Sequence, residues 1–331
     1  MWSAVLTLLA LNVGLGVYAY MHPNFRDPVF DLKARAMEKH FDQPGDPFRV
    51  IVLGSSRAAA AVEPAVLETT LTSEIGRPVA AFNMAMQGDG PIGQLIHLRR
   101  ILASGVKPDV VVVELLPSTF LFGDRPYDFS VLRPERLRYD EIDDVVKYGY
   151  PEAATRKEWR EATLNPWFGA RFQLLARVQR LWLPTGVVTY QKDAGKLGGW
   201  NPWAAYPPHL YRQRVNEVKQ TYEPQLQALK FSGPQMAALD DLLAECKTAN
   251  VRVAVVIPPE GSEFRSWYPD RVVEELKALT DRLRMTHGVL IVDARQWLPD
   301  EAFADSHHVI RQWAKPYTER LVREVIVPAK R

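Results

Sequence analysis

The sequence predicts an α/β protein built on an open parallel sheet with helices on both faces. Three observations carry this. Five short aliphatic runs recur along the chain, amphipathic stretches of helical length separate them, and the unusual polar clusters fall where the runs end. Val- and Ile-rich runs too short for helices read as parallel strands buried on both faces. Their alternation with helices gives a layered sheet, and ligands of such sheets bind outside the carboxyl ends of the strands.

Residues 1–22 come first. They carry no charge before His22, and about twenty apolar residues suffice to cross a bilayer's hydrocarbon core. A cleaved signal would bring a basic n-region and a small-residue cleavage site; the former is missing, and Ala19 stands between tyrosines. The segment reads as an uncleaved membrane anchor, with a cleaved signal as the second reading and a buried N-terminal helix as the third. The body of the chain is then expected outside the cytoplasm.

Residues 23–47 read as a linker, and 48–119 as the first part of the core. "FRVIVLG" is a strand and "AAAAVEPAVLETTLTSEI" the helix after it, its start blurred by Pro64. "RPVAAFNM" is a strand, "PIGQLIHLRRILASG" a helix, and the Val run of "KPDVVVVELLP" the clearest strand of all. Residues 120–232 break the alternation and hold five of the nine tryptophans: Trp159, Trp167, Trp182, Trp200 and Trp203. They read as an insertion or cap, helical in part over "WREATLNPWFGARFQLLARVQRLWLP" and a loop over "GKLGGWNPWAAYPPHLY". Its aromatics serve packing, or else cover substrate or touch a membrane, uses to which Trp is equally suited. The core resumes over 233–331 with "SGPQMAALDDLLAECKTAN" (helix), "VRVAVVIPP" (strand), "DRVVEELKALTDRLRMTHG" (helix), "VLIVDARQWLP" (strand) and "QWAKPYTERLVREVIV" (helix).

Composition narrows the function classes. With 41 basic and 39 acidic residues, the net charge of +2 offers no nucleic-acid surface. The single cysteine, Cys246, excludes an intrachain disulfide and a cysteine metal cluster. His22, His40, His97, His209 and His287 are scattered without metal-ligand spacing, so neither metal nor cofactor is expected.

The chemistry-bearing stretch is "VIVLGSSRAAAAVEP", from Val50 to Pro64. A strand that ends in glycine and at once presents serine at a helix start projects a hydroxyl from the sheet's edge. Backbone N–H groups nearby can face a developing negative charge. Serine needs an adjacent base, usually a histidine oriented by a carboxylate. "FADSHHVIRQW", just before the last helix, offers Asp305 and His308 three apart, with His307 as an alternative base.

In this order and on this fold, these blocks resemble the SGNH (GDSL-type) hydrolase superfamily, over about 48–119 and 233–325. The resemblance implies a three-layer α/β/α, flavodoxin-like fold. It places the nucleophile at Ser56 in Gly54-Ser55-Ser56, where Ser55 stands for the usual Asp. It gives the D-x-x-H pair to Asp305 and His308, and the oxyanion hole to the N–H groups of Ser56 and of Gly88 in "FNMAMQGDGP". The third block, normally Gly-x-Asn-Asp, reads "ELLPSTF" here, so the Asn that completes the oxyanion hole is missing and Ser118 or Asn83 would have to substitute. Arg57, Glu260 and Arg265 lie at the same edge and are candidate substrate contacts, although Arg57 reads first as one half of a structural ion pair. The variant blocks and the anchor look like the membrane-tethered cell-envelope members that handle acyl groups, such as teichoic-acid D-alanylation and alginate O-acetylation proteins. That likeness implies an acyl-ester or polysaccharide substrate and a membrane acyltransferase as partner. A serine esterase is the first functional reading, an O-acyltransferase the second, and a non-catalytic glycan-binding protein the third.

Overall fold

A computed structural model describes residues 2–22, 26–121, 125–169 and 194–330. The chain opens with helix α1 (Trp2–Met21), apolar all round, long enough to cross a membrane or to act as a signal sequence. The expected linker instead holds helix α2 (Pro28–Phe41). Asp27 caps it by accepting the Phe30 N–H, and Pro28 starts it. Val29, Phe30, Lys33, Met37 and Phe41 form its buried stripe. An inward-facing lysine in that stripe disguised its helical period.

Strand β1 (Phe48–Leu53) leads into α3 (Ser56–Ala61) and α4 (Pro64–Ile75). The sequence suggested one helix here. Val62 and Glu63 are extended, and Pro64, which cannot donate an N–H, opens the second helix. Next come β2 (Val79–Asn83), α5 (Pro91–Ala103) and β3 (Val110–Glu114). The insertion contributes α6 (Glu141–Lys147), α7 (Glu152–Leu164), α8 (Pro166–Gly169) and the long α9 (Pro208–Ala228). Trp182 and the helical reading of residues 170–184 lie outside the described residues. The core closes with α10 (Pro234–Thr248), β4 (Arg252–Ile257), α11 (Ser262–Arg265), α12 (Asp270–His287), β5 (Leu290–Asp293) and α13 (Arg311–Leu321), which runs on as a π-helical turn at Val322–Ile326.

All five strands are parallel, in the order β2-β1-β3-β4-β5. This is the three-layer α/β/α, flavodoxin-like architecture. Side chains alternate across the sheet, as a period of two requires. Ile51, Leu53, Val111, Val113, Val255 and Ile257 join one core with residues of α2, α5, α10 and α12. Val50, Val52, Val110, Val112, Ala254 and Val256 join the other, with residues of α3, α4 and α13. The strand order reverses between β1 and β3, so a crevice opens at their carboxyl ends. Ser56 stands at that crevice.

Candidate active site

The turn that carries Ser56 is built by close packing. A Cβ on Gly54 would fall 2.7 Å from the Glu114 Cβ and 2.8 Å from the Ala58 Cβ, so only glycine lets β1 end against β3 and turn at once into α3. The Ser55 hydroxyl accepts the Arg57 N–H at 3.1 Å as the cap of α3. Its own N–H donates to Glu114 Oε2 at 2.6 Å. Ser56, the first helical residue, is half-buried and faces the crevice.

From the other end of the chain, the loop 303–309 folds back on itself. The Ala304 N–H donates to the His308 carbonyl at 2.8 Å, and Ser306 holds φ +72°, a left-handed conformation uncommon for a residue with a side chain. Gly261 fits beneath it: a Cβ there would lie 2.7 Å from Ser306 Oγ. The Ser306 carbonyl accepts the Gly261 N–H at 2.8 Å, and its hydroxyl accepts the Phe264 N–H at 3.1 Å.

This clamp delivers His308 to Ser56. Ser56 Oγ and His308 Nε2 are 2.8 Å apart, and His308 Nδ1 lies 2.8 Å from Asp305 Oδ2. Asp305 Oδ1 accepts the His308 N–H at 2.9 Å. Burial alone would raise the Asp305 carboxyl, but His307 and its hydrogen bonds to His308 hold it far below the usual carboxylate range. An ionised carboxylate only accepts, so Nδ1 carries the ring proton and Nε2 presents its lone pair to the serine O–H.

His307 is placed differently. It is buried among Tyr222, Phe264 and the His308 ring, and burial, then His308, push its pKa well below the ordinary value. Asp305, His307 and His308 also bring potential metal-ligand atoms within 4.8 Å of one another. Both nitrogens of His308 are already engaged, by Ser56 and by Asp305.

Gly88 lies in the loop after β2, which Met84 and Met86 tie to β1 by donating N–H bonds to the carbonyls of Val52 and Gly54 (2.8 Å each). Its φ of +76°, and a virtual Cβ 2.9 Å from a Val131 methyl, require glycine. The Tyr127 hydroxyl is 3.7 Å from that same point. Ser118 is buried in the 3-10 turn Pro117–Phe120 beyond β3.

Four sequence expectations need correction. Asn83 cannot serve an oxyanion, because its amide donates to the carbonyls of Ala58 and Val62 at 2.9 Å each and its oxygen accepts the Ala85 N–H. Arg57 and Glu260 do not face the crevice. They form a buried ion pair at 2.8 Å, with the Tyr268 hydroxyl donating to the same carboxylate oxygen and the guanidinium over the Phe264 ring. A buried charge is retained only when paired, which binds these two to each other. Arg265 spends its guanidinium on the carbonyls of Glu260 and Arg295.

Other residues of the site were given no specific role from sequence. Glu114 holds the Ser55 N–H, and burial raises its carboxyl despite the Ser55 hydrogen bonds. Trp203, from the insertion, stacks on the His308 ring at 3.8 Å and 10°. It is tethered by the Arg311 N–H donating to its carbonyl at 2.8 Å. Lys33 donates to the carbonyls of Asn83, Ala85 and Gly199, joining α2, the Gly88 loop and the insertion; burial brings its pKa down to about 7. Glu114 left a trace in the sequence as the acid that ends a run of valines, and Trp203 as one of the insertion's tryptophans; Lys33 left none.

No family model and no curated protein matches the chain. Solved structures do resemble it. One is described as a lipolytic protein of the G-D-S-L family, from Desulfitobacterium hafniense (8% identity, TM-score 0.39, covering 83% of this chain and 98% of the other). Another is the lipase/acylhydrolase of Enterococcus faecalis (16%, 0.36, 83% and 94%). A third is the psychrotrophic esterase of a Pseudoalteromonas species (12%, 0.38, 85% and 97%). These three are described as lipolytic or ester-cleaving proteins. Identities are low, and the chemistry of this chain is read from its own side chains.

Proposed function

We propose that the protein is a serine-dependent acyl hydrolase of the SGNH type. The observation that carries this is the continuous line Ser56 Oγ, His308 Nε2, His308 Nδ1, Asp305 Oδ2, with 2.8 Å at both hydrogen bonds. Ser56 Oγ attacks the ester carbonyl while His308 Nε2 takes its proton, and Asp305 steadies the imidazolium. The tetrahedral oxyanion rests on the N–H groups of Ser56 and Gly88, neither of which has a partner among the described residues. His308 returns the proton to the leaving alcohol, leaving an acyl-ester on Ser56. Water, deprotonated by the same histidine, then releases the acid and regenerates the serine. Tyr127, a half-buried residue whose hydroxyl lies beside Gly88, takes the place of the missing Asn as side-chain donor; Ser118, buried, is the alternative. Burial pushes the Tyr127 phenol up to about 12, which keeps its proton available to donate.

A second reading keeps the site and changes the acceptor: a polysaccharide hydroxyl in place of water in the last step. The aromatic surround, Trp203 over His308 with Tyr127 and Tyr222 nearby, favours it, because aromatic faces pack on sugar rings while leaving polar edges wet. On either reading α1 tethers the domain to a membrane, with the site on the extracytoplasmic side and a membrane acyltransferase as potential acyl source. A glycan-binding role without turnover has the least support, since binding alone needs no serine against a histidine. Hydrolysis of a short-chain ester with a sugar acceptor present tests these readings. Ester turnover that disappears in Ser56→Ala supports catalysis, and a product shift to acylated sugar selects transfer. Turnover unchanged in Ser56→Ala refutes both.

A further inference from the structure

The apolar helix α1 does not stand clear of the folded body. Its Asn12 amide donates to the Leu164 carbonyl, at the end of α7, at 2.8 Å. A Cβ on Gly16 would lie 3.3 Å from the Thr163 carbonyl, so the small residue lets the two helices approach. Arg26 donates to the Thr163 hydroxyl at 2.8 Å and lies over the Trp159 ring. Ala19 is the buried residue of α1, and α8 touches α1 as well. The contacts with α1 itself fall on Thr163 and Leu164, the last two residues of α7, so it is the C-terminal tip of α7 that meets α1 beside Asn12 and Gly16.

At 1.5 Å of rise per residue, Asn12 lies about 14 Å from the Met21 end of α1. A hydrocarbon core is about 30 Å thick. If α1 spans a bilayer, the tip of α7 is held close to the midplane. Its surface suits that setting. Leu164 is 74% exposed and Trp167 43% exposed, and Leu8, Leu9 and Val13 of α1 are bare as well. The charged side chains Glu161, Arg160 and Lys157 lie three, four and seven residues back along α7 from Leu164.

We infer that the α7–α8 corner is a second membrane-contacting element, whose partner is the acyl-chain region of a lipid bilayer. The inference rests on the anchor reading of α1. It means that the domain is not a body on a free tether but sits with the insertion pressed into the membrane, in a fixed orientation. Asn12 fits this picture, because a polar group within lipid must be paired, and the Leu164 carbonyl pairs it.

The test uses the full chain in vesicles of phosphatidylethanolamine and phosphatidylglycerol, with an environment-sensitive fluorophore on one introduced cysteine. The native Cys246 is buried, its thiol pushed up to about 12, and stays silent to labelling. Leu164→Cys reports the corner, Leu8→Cys reports α1, and the exposed Met285→Cys reports water. Blue-shifted emission at both Leu164 and Leu8, quenched by nitroxide-bearing lipids but not by aqueous iodide, is the expected result, with the opposite pattern at Met285. Quenching by lipid at Leu8 alone, with Leu164 matching Met285, overturns the inference and leaves the anchor standing. Water-like behaviour at Leu8 as well refutes the anchor reading and the inference together.

Discussion

A serine hydroxyl becomes a nucleophile only where a base can take its proton and donors can hold the charge that follows. At Ser56 the base is in place, 2.8 Å away. The proposed donors are the backbone N–H groups of Ser56 and Gly88 and the Tyr127 hydroxyl. Removing one oxyanion donor costs on the order of a hundred- to a thousandfold in rate. Tyr127→Phe is therefore expected to lower kcat by about a hundredfold with KM little changed; steady-state kinetics on a soluble ester measure this, and unchanged kcat would return the role to Ser118. Glu260→Gln leaves the buried Arg57 charge uncompensated and should cost about 3 kcal/mol of stability in denaturant unfolding. A substrate contact would raise KM and leave stability intact. That Ser56, Asp305 and His308 come together was legible, because residue type and order point to it. That Arg57 enters a structural ion pair was legible too, but its partner was not, because Glu260 lies 203 positions away and nothing in either local sequence marks the pairing.

Elements explain why those side chains meet. The strands were legible from their valine runs, since a sheet buried on both faces admits little else. The helix break at Val62–Glu63 was hidden because alanine favours helix on both sides of it, and the proline decided the matter. Least legible was the arm at 197–203, which has no periodicity. It is fixed from outside, by the Asn201 N–H on the Ala59 carbonyl at 2.9 Å and by the Trp200 indole on the Ala60 carbonyl at 2.7 Å. Through this arm Trp203 reaches the His308 ring. Trp203→Ala should lower kcat by about tenfold through a looser histidine, since small displacements of a reacting group are costly. Trp203→Phe should restore most of that rate. Rate loss of equal size in both variants would show that stacking is not what positions the ring.

For the whole molecule, α2, the Gly88 loop and the insertion share one buried polar network at the edge of the sheet. His97 bonds Asp89 at 2.7 Å, and Arg100 joins Asp27 and Glu141. Asp128 Oδ1 accepts the N–H groups of Gly90 and Gly93. Burial raises the Asp128 carboxyl from 3.8 to about 7, with the Gly93 N–H opposing and Asp89 adding to the rise. The folded state thus keeps a proton there that the unfolded chain has lost. The stability this proton supplies is fully present below 3.8 and is lost as pH rises through about 7. Relative to Asp128→Asn, the wild type should lose up to about 1.4 kcal/mol per pH unit across that window. Denaturant unfolding at several pH values measures it, and parallel curves for the two proteins would contradict it.

The central claim is that Ser56 is an activated nucleophile, and the most direct measurement is labelling of the full chain with a fluorophosphonate probe. Labelling of the wild type that vanishes in both Ser56→Ala and His308→Ala is the expected result, because the probe forms its bond only with a serine whose proton a base removes. A folded wild-type protein that takes no label, or labelling that persists in Ser56→Ala, would contradict the claim.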